Sequence, residues 1–217
     1  MREGKVIARY WLRVWGLICG GILTLLPLRV HAVQSPQAVI QATVEQAMGV
    51  LRDPAYQGSE QFRTRIKKLE GIVLPHVDAW EFGRRCLGVH WQRLTDAQRQ
   101  EFIDLFRELV EKSYGGMLDS YPKQDVRFTY DAERVEGDFA EVDTRVFNPA
   151  QEKPLVVMYR LHRVNGKWLI YDVVVENVSM VSNYRNQFNR IISRSSYEEL
   201  VEAIKQKLVQ LETAPAS

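Results

Sequence analysis

Cysteine is nearly absent from this chain: 217 residues contain 2, Cys19 and Cys86, and Cys19 lies in an apolar run near the N-terminus. If that run is removed, Cys86 has no partner. No internal disulfide then staples the remainder, which must rely on a buried core. A basic surplus is missing too. The formal charge of +2 comes from 29 basic and 27 acidic residues. Residues 1–32 hold Arg2, Lys5, Arg9, Arg13 and Arg29 against Glu3, so without them 24 bases face 26 acids, a net charge of −2. Binding to a phosphate backbone needs an excess of Lys and Arg, so nucleic acid is not an expected partner.

Catalytic signatures are also lacking. His76, His90 and His162 stand in three separate segments, and none has a second histidine at metal-ligand spacing. Cys86 has no nucleophile motif around it, and Ser179 in Val-Ser-Met lies in no Gly-x-Ser-x-Gly elbow. The expectation is a protein that is not an enzyme and holds no metal or cofactor. Internal repeats and low-complexity linkers are absent as well.

What is present begins with an export-like leader. Arg2, Lys5, Arg9 and Arg13 precede an almost wholly apolar stretch from Val14 to Leu28, and Val30-His31-Ala32 has the spacing a signal peptidase reads. The apolar stretch is shorter than the ~20 residues a spanning helix needs, so cleavage after Ala32 is expected rather than a permanent anchor. Ile18 before Cys19 departs from a lipobox, and no Arg-Arg pair marks the folded-protein export route. The expected organisation is a signal peptide over 1–32, one domain over 33–212 and a frayed tail over 213–217. Some 185 residues suffice for a single sizeable core.

Helices are expected first. Ser35-Pro36 caps a run with Val39, Ile40, Val44, Ala47, Met48 and Leu51 at helical spacing, which Asp53-Pro54 stops. A shorter helix carries Phe62, Ile66 and Leu69. The next holds Val77, Trp80, Phe82, Cys86 and Leu87 and closes at Gly88. Thr95 and Gln98 form a capping box for the longest helix, whose stripe runs through Phe102, Leu105, Phe106, Leu109 and Val110 towards Tyr114, Met117 and Leu118.

Strands follow. Val126 to Val135 and Phe139 to Phe147 alternate polar and apolar residues around a turn at Glu136-Gly137-Asp138. Two further β-branched and aromatic runs flank Asn165-Gly166, the pair that type I′ hairpins favour. In the last run Trp168, Ile170 and Val174 share a face with Asp172 and Glu176, whereas Leu169, Tyr171, Val173 and Val175 form an unbroken apolar row. Strands apolar on both sides need cover on both, from helices or from an apolar ligand. Two helices end the chain, one from Met180 to Ile192 and one after Ser195-Ser196. The order spells an α+β fold: a curled four-stranded antiparallel meander packed by N- and C-terminal helices around an apolar cavity.

An ordered set of short segments carries a family resemblance: Leu74-Pro75-His76-Val77-Asp78, Leu87-Gly88-Val89-His90-Trp91, Thr95-Asp96-Ala97-Gln98-Arg99 and Phe106-Arg107-Glu108-Leu109. Ser113-Tyr114-Gly115, Gly166-Lys167-Trp168, Tyr171-Asp172 and Val178-Ser179-Met180-Val181 continue it. Spanning roughly residues 36 to 208, this set resembles the MlaC-type periplasmic phospholipid-binding proteins, or toluene-tolerance family. Asn177 departs from the Gly usual before Val-Ser, but Asn tolerates the same left-handed backbone.

The resemblance implies a soluble, monomeric periplasmic carrier of phospholipid that serves outer-membrane lipid asymmetry. The partners it implies are an inner-membrane ABC transporter with a lipid-binding ring subunit and an outer-membrane lipoprotein with a porin. A carrier needs a dry space. Tyr114, Met117, Leu118, Val146, Val156, Met158, Val173, Val175, Met180, Val181, Phe188, Ile191 and Ile192 are the expected lining, against the alternative that they are ordinary core. Arg145, Arg160, Arg163, Tyr184 and Arg185 are candidates for a phosphate head group or an acidic partner, against the alternative of solvated strand faces. A ligand-free adaptor of an envelope complex and a carrier of a polycyclic lipid such as a hopanoid remain alternatives.

Overall fold

A computed structural model describes residues 34–115 and 126–213. The leader, Met117, Leu118 and residues 214–217 lie outside them. Helix α1 (Pro36–Arg52) starts where the Ser35 hydroxyl accepts the Ala38 N–H at 3.1 Å, with proline in its first turn. Helix α2 (Phe62–Val73) is approached through two short 3-10 turns. The buried Arg65 side chain donates to the carbonyls of Tyr56 and Gly58, and so ties α2 to the loop before it. Helix α3 (Ala79–Leu87) is capped by Asp78, whose Oδ1 accepts the Glu81 N–H at 2.8 Å, and ends at Gly88 with φ +55°. Helix α4 (Asp96–Gly115) has the expected capping box: Gln98 N–H donates to Thr95 Oγ1 at 3.2 Å, and Thr95 N–H to Gln98 Oε1 at 3.0 Å.

One antiparallel sheet holds β1 (Arg127–Glu136), β2 (Phe139–Phe147), β3 (Leu155–Val164), β4 (Lys167–Val175) and the two-residue β5 (Val178–Ser179), in that order. Asn165 and Gly166 both have positive φ, as the type I′ hairpin requires. The sheet has one strand more than expected. Glu176 and Asn177, with φ 48° and 65°, reverse the chain so that Val178 and Ser179 pair back onto Val175 and Val174. The left-handed Glu176 is held by Val156, whose N–H donates to Glu176 Oε1 at 2.7 Å and whose carbonyl accepts the Glu176 N–H at 3.0 Å.

A second departure lies in the pairing of β3 with β4. Tyr159 faces Val173 and Arg160 faces Asp172, but Leu161 faces Ile170, so Tyr171 is a bulge. One extra residue inverts the alternation of everything beyond it. Trp168 and Ile170 therefore share the inner face with Val173 and Val175, across from Leu161, Tyr159 and Val157, while Asp172 and Val174 belong to the outer face with Arg160 and Met158. The apolar row from Leu169 to Val175 is broken at the bulge.

The inner face meets α1: Val39 and Ile40 pack with Ala140, Val142, Leu161, Trp168 and Ile170. A separate core gathers α3 and α4 with the C-terminal helices α5 (Met180–Arg194) and α6 (Tyr197–Thr213). Its centre is aromatic. Phe106 lies 5.4 Å from Phe102, 5.4 Å from Phe188 and 4.9 Å from Tyr184, ring centre to ring centre.

Candidate functional site

Three walls enclose a cavity of about 350 Å³ between the inner face of the sheet and the helices. From α2 come Ile66, Leu69, Glu70 and Val73, and from α4 Ile103, Phe106, Arg107, Val110, Glu111 and Tyr114. Both sets follow the i, i+3, i+4, i+7 spacing that puts side chains on one helix face. Tyr159, Ile170 and Val173 form the sheet wall, which the Tyr171 bulge makes continuous. Leu74, Val77, Ala79, Phe82 and Met180 complete the lining. Leu74 and Tyr114 are 39% and 38% exposed, so the cavity reaches solvent beside them.

α2 packs on α1, whereas α4 packs on α3 and α6. Glu70 of α2 and Glu111 of α4 both line the cavity where the two helices face each other. Glu70 is pushed up to about 7, first by burial, then by Glu111, against the opposing pull of Lys67 and Arg107. At the floor, burial pushes the Tyr159 phenol up to about 12, aided by neighbouring Tyr130, while a hydrogen bond with Thr144 acts the other way.

Of the residues expected to line a cavity, Tyr114, Val173 and Met180 do. Met117 and Leu118 lie outside the described residues. The others are placed elsewhere. Val156 and Met158 are on the outer face, opposite Arg145 and Asp143, because β3 keeps strict alternation and its inner residues are Val157 and Tyr159. Val146 packs with Val126 and Val157, and Val175 pairs with Val157 beyond the cavity. Val181, Tyr184 and Phe188 form a buried stripe on α5 that enters the aromatic core, with Ile191 and Ile192 at its margin.

The arginines expected to await a head group are held by this chain's own acids or carbonyls. Arg145 Nε donates to Asp131 at 2.6 Å and Arg163 Nη2 to Asp138 at 2.7 Å. Arg160 bridges Glu141 at 3.1 Å and Asp172 at 3.2 Å, and Arg185 Nε donates to the Arg85 carbonyl at 2.7 Å. The Arg145 and Arg160 pairs lie across strands, where register brings them together, whereas Asp138 sits in the turn between β1 and β2 and Arg185 joins α5 to α3. Tyr184 is buried with Phe106 and Phe188, and burial pushes its phenol up.

Polar groups that might have suggested chemistry have structural partners. The Ser179 hydroxyl donates to Asp172 Oδ2 at 2.7 Å and accepts the Ser182 N–H at 3.0 Å, capping α5. His162 Nε2 is 3.0 Å from Asp78 and His90 Nε2 is 2.8 Å from Asn189. Burial pushes the Cys86 thiol up, away from the reactive thiolate. Among the described residues no three His, Cys, Asp or Glu side chains are grouped to hold a metal ion, and no helix is long and apolar enough to cross a membrane.

The residues that sequence reasoning missed are chiefly Ile66, Leu69 and Val73 on α2 and Ile103 and Val110 on α4. Their helical spacing was visible as an apolar stripe. A stripe states which face is dry but not whether another side chain meets it.

Comparison with known proteins agrees with this architecture. The chain is 23% identical over 211 residues to the intermembrane phospholipid transport system binding protein MlaC of Haemophilus influenzae, covering 92% of this chain and 95% of that one. It is 29% identical over 181 residues to the toluene tolerance protein ttg2D of Pseudomonas putida, covering 81% and 82%. Among solved structures, the phospholipid-binding protein from Ralstonia solanacearum, in complex with a phospholipid, superposes with a TM-score of 0.74 at 23% identity, covering 83% of this chain and all of that one. A family model described as MlaC protein matches residues 41–206, most of the chain and all three walls of the cavity, so the chain belongs to the MlaC family.

Proposed function

We propose that this chain is a soluble periplasmic lipid-transfer protein that carries phospholipid between membrane complexes, with acyl chains in the cavity between α2, α4 and the sheet. The observation that carries the reading is the cavity itself: about 350 Å³ of space with aliphatic and aromatic walls, in the size range of ligand sites. The names of the Haemophilus and Pseudomonas relatives and the phospholipid in the Ralstonia structure support it.

The physics asks little more of a carrier. Each methylene exposed to water costs about 0.8 kcal/mol, so roughly thirty of them set a barrier on the order of 20 kcal/mol against free diffusion of a lipid. A protein cavity has only to match the bilayer for loading and release to be nearly thermoneutral. No nucleophile or base is required, and we propose that the protein acts without catalysis. Tyr114, Val173 and Met180 would contact the chains, joined by Ile66, Leu69, Val73, Ile103 and Val110, with Met117 and Leu118 proposed to extend the wall. The head group would remain near solvent beside Arg107.

Residues 1–32 are proposed as the export signal. An inner-membrane ABC transporter with a lipid-binding ring subunit and an outer-membrane lipoprotein with a porin are the proposed partners. Organic extraction of protein purified from its native envelope, followed by mass spectrometry, tests the reading. Diacyl phospholipid at close to one per chain is expected. Lipid-free protein would favour an adaptor, and a polycyclic lipid would reassign the cargo.

A further inference from the structure

The cavity wall is apolar except where α2 meets α4. There Glu70 and Glu111 line the same cavity from facing helices, close enough for the negative charge of Glu111 to push the Glu70 carboxyl up, so a proton on one of them relieves the repulsion. The charged groups facing Glu70 are Lys67 from its own helix and Arg107 and Glu111 from α4. Tyr114 adds a phenol to the same lining. Arg107 reaches towards Asp104 at 3.9 Å and is exposed, so it attenuates the negative charge without cancelling it. Where the cavity opens to solvent beside Leu74 and Tyr114, water can hydrate a second negative charge. Acyl chains would displace that water.

Resting on the carrier reading above, we propose that Glu70 and Glu111 form a proton-linked element of the cargo site: the pair shares one proton when acyl chains fill the cavity, and its full ionisation disfavours the loaded state. The physical reason is desolvation. A carboxylate beside hydrocarbon loses its hydration, and two adjacent carboxylates without water between them repel strongly. Loading therefore raises the pair's affinity for its proton, and by reciprocity the proton raises the affinity for cargo. Burial and Glu111 already push the Glu70 carboxyl up to about 7, so the transition falls near neutral pH. Cargo affinity is fully expressed below that point and declines above it. One linked proton limits the slope to about tenfold per pH unit.

Full-length protein is mixed with phosphatidylcholine vesicles carrying a trace of pyrene-acyl phosphatidylcholine, whose head group does not titrate between pH 6 and 8.5, and the lipid transferred to protein is measured across that range. Wild type is expected to lose about tenfold in lipid uptake from pH 6 to 8.5. Glu70→Gln and Glu111→Gln, each leaving a single carboxylate, are expected to stay within about twofold of the low-pH value throughout. A flat wild-type profile, or variants with the wild-type slope, overturns the proton linkage while leaving the carrier intact. Absence of uptake by wild type at every pH overturns the carrier reading and this inference with it.

Discussion

Arg160 and Asp172 face each other across β3 and β4, with Nη1 3.2 Å from Oδ2, and the carboxylate is only 2% exposed. Asp172 also accepts the Ser179 hydroxyl and, at Oδ1, the Val181 N–H at 3.0 Å. A single buried acid thus joins the outer face of the sheet to the start of α5, and Arg160 continues the chain of charges to Glu141, which Arg134 also binds at 3.0 Å. Removing one partner of a buried ion pair costs about 3–5 kcal/mol; here Arg160 keeps Glu141, while the Ser179 hydroxyl and the Val181 N–H lose their acceptor, which places the cost at the lower end. Asp172→Ala is expected to lower stability by about 3 kcal/mol, a fall in Tm of about 6–12 °C for a domain of this size. Thermal unfolding by circular dichroism measures it. A change below about 2 °C would show that α5 does not depend on this cap.

The bulge at Tyr171 makes a prediction that separates the two faces of the sheet. Tryptophan at Val173 or Val110 adds bulk inside the cavity, whereas tryptophan at Val156, which is 42% exposed on the outer face, adds none. Val173→Trp and Val110→Trp are expected to reduce bound lipid at least fivefold while the protein stays folded, and Val156→Trp to load as wild type. Lipid-to-protein ratios after extraction decide it. Reduced loading in Val156→Trp alone would put the site on the opposite face.

Gly83 lies where α3 crosses α4. A Cβ built there would sit 2.4 Å from Ile103 Cδ1 and 3.2 Å from a Phe102 ring carbon. Alanine gains about 1 kcal/mol of helix propensity over glycine, and crowding of this kind costs about 1–3 kcal/mol, so the two nearly offset. The Ile103 tip is the part free to turn, and Ile103 lines the cavity. Gly83→Ala is expected to change Tm by only a few degrees while lowering lipid capacity. A clear rise in Tm with unchanged loading would mean that Ile103 turns away from the cavity.

Glu70 also links stability to pH. Its carboxyl is pushed up to about 7 in the folded protein, first by burial and then by Glu111, from an ordinary value near 4.5. The folded state therefore holds a proton that the unfolded chain has released, and stability falls as pH rises from about 4.5 to about 7. The penalty is complete above 7. Glu70→Gln removes the titration, so its Tm is expected to exceed that of wild type at pH 8 and to converge with it at pH 5. Parallel Tm profiles for the two proteins would contradict this assignment.

Much of the fold was legible because its signals are local. Ser35-Pro36, the Thr95 and Gln98 box and Asn165-Gly166 each fix a boundary through a few neighbouring atoms, and each is found where expected. Asn177 keeps the left-handed turn although glycine is the usual residue there. The site was less legible because it depends on register. No glycine or proline marks the bulge at Tyr171, and one extra residue was enough to exchange the faces of β4, drawing Val156 and Met158 into the expected lining. The ion pairs of the candidate arginines were hidden for the same reason, since Asp131 meets Arg145 and Glu141 meets Arg160 through strand pairing. Glu70 and Glu111 belong to helices whose contact no local pattern announces.

The central claim is that acyl chains lie between α2, α4 and the inner face of the sheet. Photocrosslinking with a phospholipid carrying a diazirine near the end of one acyl chain, mapped by peptide mass spectrometry, tests it most directly. The account predicts adducts within the segments Ile66–Val73 and Ile103–Tyr114. Adducts confined to the outer face, around Val156 and Met158, or none above a vesicle-only background, would contradict it.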